Sequence, residues 1–276
     1  MLIDTHCHLD FPDFNTPSDE LKRVIENAHH AKVEKLITIA TDLNSSRRCV
    51  EIAEQFPSVY ATVGIHPCDA NDSVLEDLQE IEQLLSHPKV LAIGECGLDH
   101  HKLKERNPET DIGSLKSKQI DIFQAQLELA CSHQKNMIIH QRDSWEPVLK
   151  QIKRYTGKFR GVFHCFGGTL QQAQEVIDLG HLVSFTGIVT FKKAVDCQNT
   201  AAQVPANKYM LETDSPFLAP VPYRGKRCEP AYTALIAQKI ADLRQITIEE
   251  VIQQTFQTAK SFFKPIGQPL TASHHR

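Results

Sequence analysis

The chain lacks the cysteine spacings that build zinc ribbons and small disulfide scaffolds. It has 8 cysteines among 276 residues, but no CxxC pair occurs and the cysteines are scattered along the whole length. Such scattering is typical of reduced thiols in a cytosolic protein, whereas small disulfide-rich domains are short and dense in cysteine. We therefore expect no disulfide framework.

The sequence also lacks a long apolar segment, a basic leader and an excess of positive charge. No apolar run approaches the roughly 20 residues that a transmembrane helix needs. The first residues show no basic stretch followed by an apolar one, so we expect no membrane span, no secretion signal and a cytoplasmic location. The formal net charge of −4 does not suit a protein that coats duplex DNA, although a local phosphate site stays compatible with it.

Short apolar runs alternate with segments of helical periodicity. The runs are MLI at 1–3, LITIA at 36–40, VYATV at 59–63, VLAIG at 90–94, MII at 137–139, GVF at 161–163, LVSF at 182–185 and YML at 209–211. Consecutive apolar positions are typical of parallel strands that are buried on both faces. Between the runs, apolar residues recur at helical spacing, as at Leu21, Val24, Ile25 and Ala28.

Eight strands alternating with helices predict an α/β fold. We expect a (β/α)8 TIM-like barrel, with a doubly wound open sheet as the alternative. No segment has a linker composition, so a single domain over residues 1–265 is predicted, followed by a short C-terminal tail at 266–276.

Polar residues that can bind a metal follow most of the apolar runs. They are His6 and His8 after the first run, His66 after the third, Glu95 after the fourth, His140 after the fifth, His164 after the sixth, and Glu212 and Asp214 after the eighth. In a parallel barrel the carboxyl ends of all strands lie on one rim, where barrel enzymes build their active sites. These residues are therefore expected to converge on one pocket.

The stretch DTHCHLD at 4–10 supports a metal site. In an extended chain, side chains two residues apart point the same way, so His6 and His8 share a face and Cys7 points away. A histidine that follows a strand is also common as an ordinary hydrogen-bonded residue, and H-x-H alone leaves both interpretations open. Six candidate ligands at five strand ends favour the metal site. Like Cys7, Cys96 and Cys165 adjoin candidate ligands. We expect all three of these cysteines to be outward-facing apolar fillers and not thiolate ligands.

Six motifs together resemble the TatD family of metal-dependent deoxyribonucleases, barrel proteins of the amidohydrolase-like metallohydrolase superfamily. They are DTHCHLD, GIHP, GECGLD, IIHQRD, HCFGG and LETDSPFLAPVPYRGKRCEP. They follow the family's order over nearly the whole chain. H-x-H is only a superfamily marker, whereas GECGLD and ETDSPFLAP with YRGKR are far more specific.

The resemblance implies a site for two divalent metal ions. The implied ligands are His6, His8 and Asp214 for one ion and His140 and His164 for the other, with Glu95 bridging them. Asp214, Glu95 and His66 would be the catalytic residues. The family is usually described as Mg²⁺-dependent, but imidazole-rich sites also suit Zn²⁺, Mn²⁺ or Ni²⁺.

The implied activity is hydrolysis of DNA phosphodiester bonds, as a 3′–5′ exonuclease on single-stranded or frayed ends. DNA would be the substrate of a protein that is expected to be a monomer. Arg142, Arg224, Lys226 and Arg227 are candidate phosphate contacts, although the RGKR segment could also be a solvated turn. An ester or amide hydrolase, such as a D-aminoacyl-tRNA deacylase, is the alternative enzyme, and a non-catalytic metal-binding protein is the third possibility.

Three residues depart from the family's usual pattern without removing a ligand. His100 stands where the family usually has an aromatic residue, Cys228 replaces an asparagine, and Gly168 replaces a serine. The segment at 99–117 is also long for a βα loop, since most such loops have 2–6 residues. These departures concern how the substrate fits and not the predicted metal chemistry.

Overall fold

A computed structural model describes residues 1–14 and 19–264, and the predicted tail at 266–276 lies outside them. Within the described residues, eight strands form one sheet in sequence order, and neighbouring strands are parallel. Cys7 and Ser215 form a further parallel bridge between the first strand and the segment after the last. The bridge brings the two edges of the sheet together, so the predicted (β/α)8 barrel is confirmed and the open doubly wound sheet is excluded.

The strands are short and the helices lie between them in the order expected of a barrel. The strands are β1 (Leu2–Cys7), β2 (Val33–Thr38), β3 (Val59–Val63), β4 (Val90–Asp99), β5 (Asn136–Arg142), β6 (Gly161–Phe163), β7 (Leu182–Phe185) and β8 (Tyr209–Leu211). The α-helices are α1 (Glu20–His30), α2 (Leu43–Gln55), α3 (Leu75–Leu84), α4 (Leu103–Arg106), α5 (Ile112–Ser132), α6 (Trp145–Lys153), α7 (Leu170–Asp178), α8 (Val195–Gln203), α9 (Thr233–Arg244) and α10 (Ile248–Phe262). None of the described helices is long and apolar enough to cross a membrane.

Three strands run further than the apolar runs predicted. β1 continues through His6, β4 through Glu95 and β5 through His140, and β4 stays paired with β5 as far as Asp99 and Arg142. Backbone pairing does not depend on side-chain polarity, so a strand continues wherever its polar side chains find partners inside the barrel. β3, β6, β7 and β8 have the bounds of the predicted runs.

The core has two parts, one inside the barrel and one between the barrel and its helices. The inner part takes buried side chains from all eight strands and is covered at one end by Phe262 and Phe263 at the end of α10. The outer part joins the other faces of the strands to the helices. Alternation of side chains along each strand divides its residues between the two parts. The polar side chains of the predicted site lie beyond these apolar residues, towards the carboxyl ends of the strands.

Candidate metal centre

Breaks in the strand register occur next to two of the candidate ligands, His6 in β1 and Glu95 in β4. The register of β1 on β2 shifts between Asp4 and Cys7, and that of β4 on β5 shifts between Ile93 and Cys96. Ile93 and Cys96 both belong to the outer core, although residues three apart in a regular strand face opposite sides. A bulge of this kind re-aims a side chain, and here it lets Glu95 face the interior.

His6, His8, Asp214 and Glu95 form one group of ligand atoms. The Nε2 atoms of His6 and His8 are 3.3 Å apart, and they lie 3.5 and 3.3 Å from Oδ1 of Asp214. Oε2 of Glu95 lies 3.4 and 3.8 Å from the same two nitrogens. Ligand atoms about 2.0–2.1 Å from one tetrahedral ion lie roughly 3.3 Å apart, so the spacing fits a bound metal ion.

The other oxygen of Glu95 faces a second group. Oε1 lies 2.6 Å from Nδ1 of His140 and 2.6 Å from Nε2 of His164, and these two nitrogens are 3.2 Å apart. The two oxygens of a single carboxylate therefore point to two different pairs of histidines. The arrangement brings together all six residues that the sequence predicted as ligands.

Buried negative charge makes this cluster suited to cations. Burial alone raises the pKa of Glu95, yet the charge of His164 and hydrogen bonds from His140 and His164 hold that pKa well below its ordinary value. Burial lowers the pKa of His8, but the hydrogen bond and charge of Asp214 outweigh it and raise that pKa to about 9. Without a metal, histidines supply the positive charge that the carboxylates require, and divalent ions with nitrogen and oxygen ligands can supply it instead.

The far ring nitrogens of two histidines are held by hydrogen bonds. Nδ1 of His8 lies 3.0 Å from the carbonyl oxygen of Ile39, and Nε2 of His140 lies 3.3 Å from Oδ2 of Asp99. Such contacts fix the tautomer and orientation of a metal-binding imidazole. Asp99 in turn accepts a 2.8 Å hydrogen bond from Arg106 of the long segment at 99–117. Asp99 ends the GECGLD motif, but its role as a partner of His140 was not predicted from the sequence.

The other two histidines, His6 and His164, lie close to one buried carboxylate. Among the described residues, neither Nδ1 of His6 nor Nδ1 of His164 has a hydrogen-bond partner, and the two rings stack with centroids 4.1 Å apart. Ligand atoms of these histidines and of Glu212 all lie within 4.8 Å of one another. Glu212 is held by 2.6 Å hydrogen bonds from the backbone N–H of Cys165 and the hydroxyl of Ser184. Glu212 was recognised as a polar strand end but not as a site residue.

His66 occupies a different position from the other histidines. Its Nε2 lies 3.3 Å from Nδ1 of His140 and 3.6 Å from Oε1 of Glu95, close enough to share a metal with them. Its Nδ1, however, accepts the backbone N–H of Cys68 at 3.0 Å. Burial lowers the pKa of His66 to about 3, so the ring is neutral and carries its proton on Nε2. This tautomer makes His66 a hydrogen-bond donor into the site.

A cavity of about 720 Å³ lies over the cluster. Its lining residues include Asp99, Arg106, Arg142, Ile188 and Phe217. Ligand pockets for small molecules commonly span about 300–1,000 Å³, so the cavity has the size of a binding site.

The predicted phosphate contacts divide between the cavity and its surroundings. Arg142 lines the cavity, whereas Arg224, Lys226 and Arg227 are not among the described residues that line it. The guanidinium of Arg224 lies 4.3 Å from the centre of the Phe191 ring. Arg227 pairs with Glu20 and Glu229. The structure thus brings one of the four cations to the metal cluster, and the substrate role of the others stays a prediction.

The three cysteines next to predicted ligands do not behave alike. Cys7 and Cys96 are buried in the outer core, where their thiols donate to the carbonyl oxygens of Ile37 and Ile138 at 3.3 and 3.4 Å. Cys165 differs from the prediction because it lines the cavity. Its backbone has a φ of 48° at the turn that follows β6, which ends the alternation of a strand.

Comparisons with known proteins agree with this geometry. The family model described as TatD related DNase matches residues 3–264. The chain is 38% identical over 265 residues to the uncharacterized metal-dependent hydrolase YabD of Bacillus subtilis, covering 96% of this chain and 99% of YabD. It is 32% identical over 255 residues to the uncharacterized metal-dependent hydrolase YcfH of Escherichia coli, covering 92% of each.

A solved structure gives the same result. The crystal structure of YJJV, a TatD homolog from Escherichia coli, matches with a TM-score of 0.86 and 28% identity, covering 95% of this chain and 98% of YJJV. Fold, sequence and the clustered ligands lead to one conclusion: the chain belongs to the TatD family and is a metal-dependent hydrolase.

Proposed function

We propose that the protein is a deoxyribonuclease that removes nucleotides from the 3′ end of single-stranded or frayed DNA. The observation that carries the proposal is the division of Glu95 between two groups of ligands, with Oε2 facing His6 and His8 and Oε1 facing His140 and His164. A bridging carboxylate suits two ions about 3.5–4 Å apart, the arrangement used for phosphodiester hydrolysis. The family description supports DNA as the substrate.

The residues of the chain divide the work of the reaction. His6, His8, Asp214, His140 and His164 would hold two divalent ions, with Glu95 between them. Ions bound there lower the pKa of water and neutralise charge on a phosphodiester. The Nε2–H of His66 points into the site and donates a hydrogen bond to a phosphate oxygen, and Arg142 pairs with a neighbouring phosphate.

The proposed step is a hydrolysis in which the attacking water bonds to phosphorus and the bond from phosphorus to the leaving 3′ oxygen breaks. The Asp214 carboxylate takes the proton that the water loses and gives it up to solvent, and the leaving 3′ oxygen takes one proton from a solvent water, so that charge and atoms balance. A cavity of about 720 Å³ accommodates a strand end better than a duplex, which favours an exonuclease. The 3′–5′ polarity is carried over from the family resemblance.

Single-stranded oligonucleotides labelled at the 3′ or the 5′ end test the proposal, with Mg²⁺, Mn²⁺ or a chelator. We expect stepwise release from the 3′ end that chelator abolishes and that Asp214→Asn lowers by about 10²–10⁴-fold. Glu95→Gln should abolish it together with bound metal, whereas Glu80→Gln, a surface carboxylate paired with Arg47, should change nothing. Absence of cleavage by protein of confirmed metal content would overturn the proposal, and hydrolysis of an aminoacyl ester in its place would favour the alternative enzyme.

A further inference from the structure

An aromatic pair stands at the mouth of the metal cluster. The rings of Phe11 and Phe217 meet edge to face, with centroids 5.3 Å apart and an interplanar angle of 87°. Both contact His8, with ring centroids at 5.4 and 6.1 Å. The pair therefore contacts His8, which is one of the residues predicted to hold a metal ion.

Phe217 is unusual because it is both exposed and part of the cavity wall. Its exposed fraction is 46%, and of the large apolar side chains that are exposed in the described ranges it is the one that lines the cavity. Single exposed apolar residues are ordinary on protein surfaces. An exposed ring beside a ligand cluster is different, since a bound ligand can cover it and recover the free energy of burying it.

The backbone fixes this ring relative to the metal ligands. The N–H of Phe217 donates a 2.9 Å hydrogen bond to the carbonyl oxygen of Asp214, and the N–H of Asp214 donates at 2.9 Å to the carbonyl of His6. One tight turn thus holds a predicted ligand at one end and the exposed ring at the other. A ring held in this way is positioned before the ligand arrives.

The cavity has walls of two different kinds. The apolar lining residues Phe11, Ile188, Phe217 and Leu218 follow β1, β7 and β8. Arg106 follows β4 and Arg142 ends β5, and these two strands lie across an eight-stranded barrel from β8 and β1. A nucleotide has the same division, because its base presents flat apolar faces and its phosphates are anionic. A phosphate held at the metal cluster and the cations would leave its base next to the aromatic pair.

We propose that Phe217, supported by Phe11, is a stacking subsite for the base of the nucleotide whose phosphate binds at the metal cluster. This inference rests on the proposed function and names the part of the substrate that the apolar wall binds. Phenylalanine offers no hydrogen-bonding group, so the subsite accepts every base by stacking and does not select a sequence. Purines, with the larger faces, bind more tightly than pyrimidines.

Binding of two small ligands to the Mg²⁺-loaded protein tests the subsite. Titration calorimetry compares 2′-deoxyadenosine 5′-monophosphate with 2-deoxyribose 5-phosphate, which has the same phosphate and sugar but no base. We expect the nucleotide to bind about 5- to 100-fold more tightly to the unaltered protein, the range that stacking on one aromatic ring gives. Phe217→Ala and Phe217→Leu should reduce this ratio towards one, and Phe217→Tyr should keep it.

The controls separate loss of stacking from loss of the site. Affinity for 2-deoxyribose 5-phosphate should stay unchanged in all three variants, and Val221→Ala, a change at a 49%-exposed residue outside the cavity lining, should leave both affinities unchanged. A ratio near one in the unaltered protein, or a ratio that Phe217→Ala leaves intact, overturns the inference. Equal loss of both affinities does so too. Because these assays need no cleavage, their result is independent of whether the protein proves to be a deoxyribonuclease.

Discussion

The carboxylate of Glu212 lies behind His164, with its Oε1 3.6 Å from Nδ1 of the imidazole. The stacked ring of His6 has its own Nδ1 buried on the same side without a hydrogen-bond partner in the described part of the chain. When the Nε2 atoms of both rings bind metal, both Nδ1 atoms carry protons, and Glu212 is placed to accept the one on His164. Glu212 thus supports His164 from behind and lies next to the stacked ring of His6.

Replacing Glu212 should therefore weaken metal binding. We expect Glu212→Gln to lower the affinity for divalent metal by about 10–100-fold, as is typical when the carboxylate behind a metal-binding histidine is lost. Competition with a chromophoric chelator measures this without a substrate. Ser184→Ala removes only one hydrogen bond to Glu212 and should have a much smaller effect. Unchanged affinity in Glu212→Gln would contradict the assigned role.

Gly97 allows β4 to lie close to the backbone of His140 on β5. A Cβ at this position would lie 2.0 Å from the carbonyl oxygen of His140, and the φ of Gly97 is +144°. Gly97→Ala must push β4 away from β5, so we expect a loss of about 3 kcal/mol or more in stability and a fall of about 5–10 °C in Tm. Gly167→Ala is the matched control, since a Cβ there meets no atom of the described residues within 4 Å. Equal Tm values for the two variants would refute the packing argument.

The predicted phosphate contacts should separate into two kinds. Arg142 lines the cavity, so Arg142→Ala should raise KM for an oligonucleotide by about tenfold, the loss of one charged hydrogen bond, with little change in Tm.

Arg227 donates to Glu20 and Glu229 at 2.5 and 2.8 Å, and Glu20 is buried. Arg227→Ala should cost about 1–3 kcal/mol in stability. Steady-state kinetics and urea unfolding of both variants check this, and a purely kinetic effect of Arg227→Ala would restore its predicted contact with the substrate.

His181 should make stability depend on acidity far from the metal cluster. Burial, with a smaller contribution from the charge of Arg160, lowers the pKa of His181 from 6.5 to about 4. Between these values the unfolded chain binds the proton and the folded protein does not, so stability is full above pH 6.5 and falls as the pH drops towards 4. This group should contribute about 2–3 kcal/mol of loss between pH 7 and pH 4.5.

The variant His181→Asn removes this titration. The amide oxygen can still accept the backbone N–H of Gly161, which donates to Nδ1 of His181 at 3.0 Å. Urea unfolding of metal-free protein at pH 7 and pH 4.5 should therefore show a smaller acid loss in the variant than in the unaltered chain. Identical losses would mean that other groups account for the dependence on pH.

The barrel itself could be predicted from local sequence. Runs such as VYATV and LVSF are apolar on consecutive positions, which is how a strand buried on both faces reads, and they coincide with β3 and β7. The convergence of His6, His140 and the other predicted ligands followed from the same pattern, because parallel strands of a barrel end on one rim.

The details of the centre depended on contacts that local sequence does not encode. The bulge that turns Glu95 inward is set by pairing with β5, and the tautomer of His66 by a backbone N–H at Cys68. Arg227 reads as a phosphate contact in RGKR, but the fold brings it to Glu20, which lies 207 positions away in the chain.

Sequence alone therefore determined the strand order and the residues that meet at the rim, because both follow from periodicity and from the geometry of parallel strands. Only the tertiary structure decided which oxygen of Glu95 faces which histidines, and that Asp99 and Glu212 support the rings from behind. The residues in these contacts are far apart in the sequence, and they come within contact distance only when the barrel has closed.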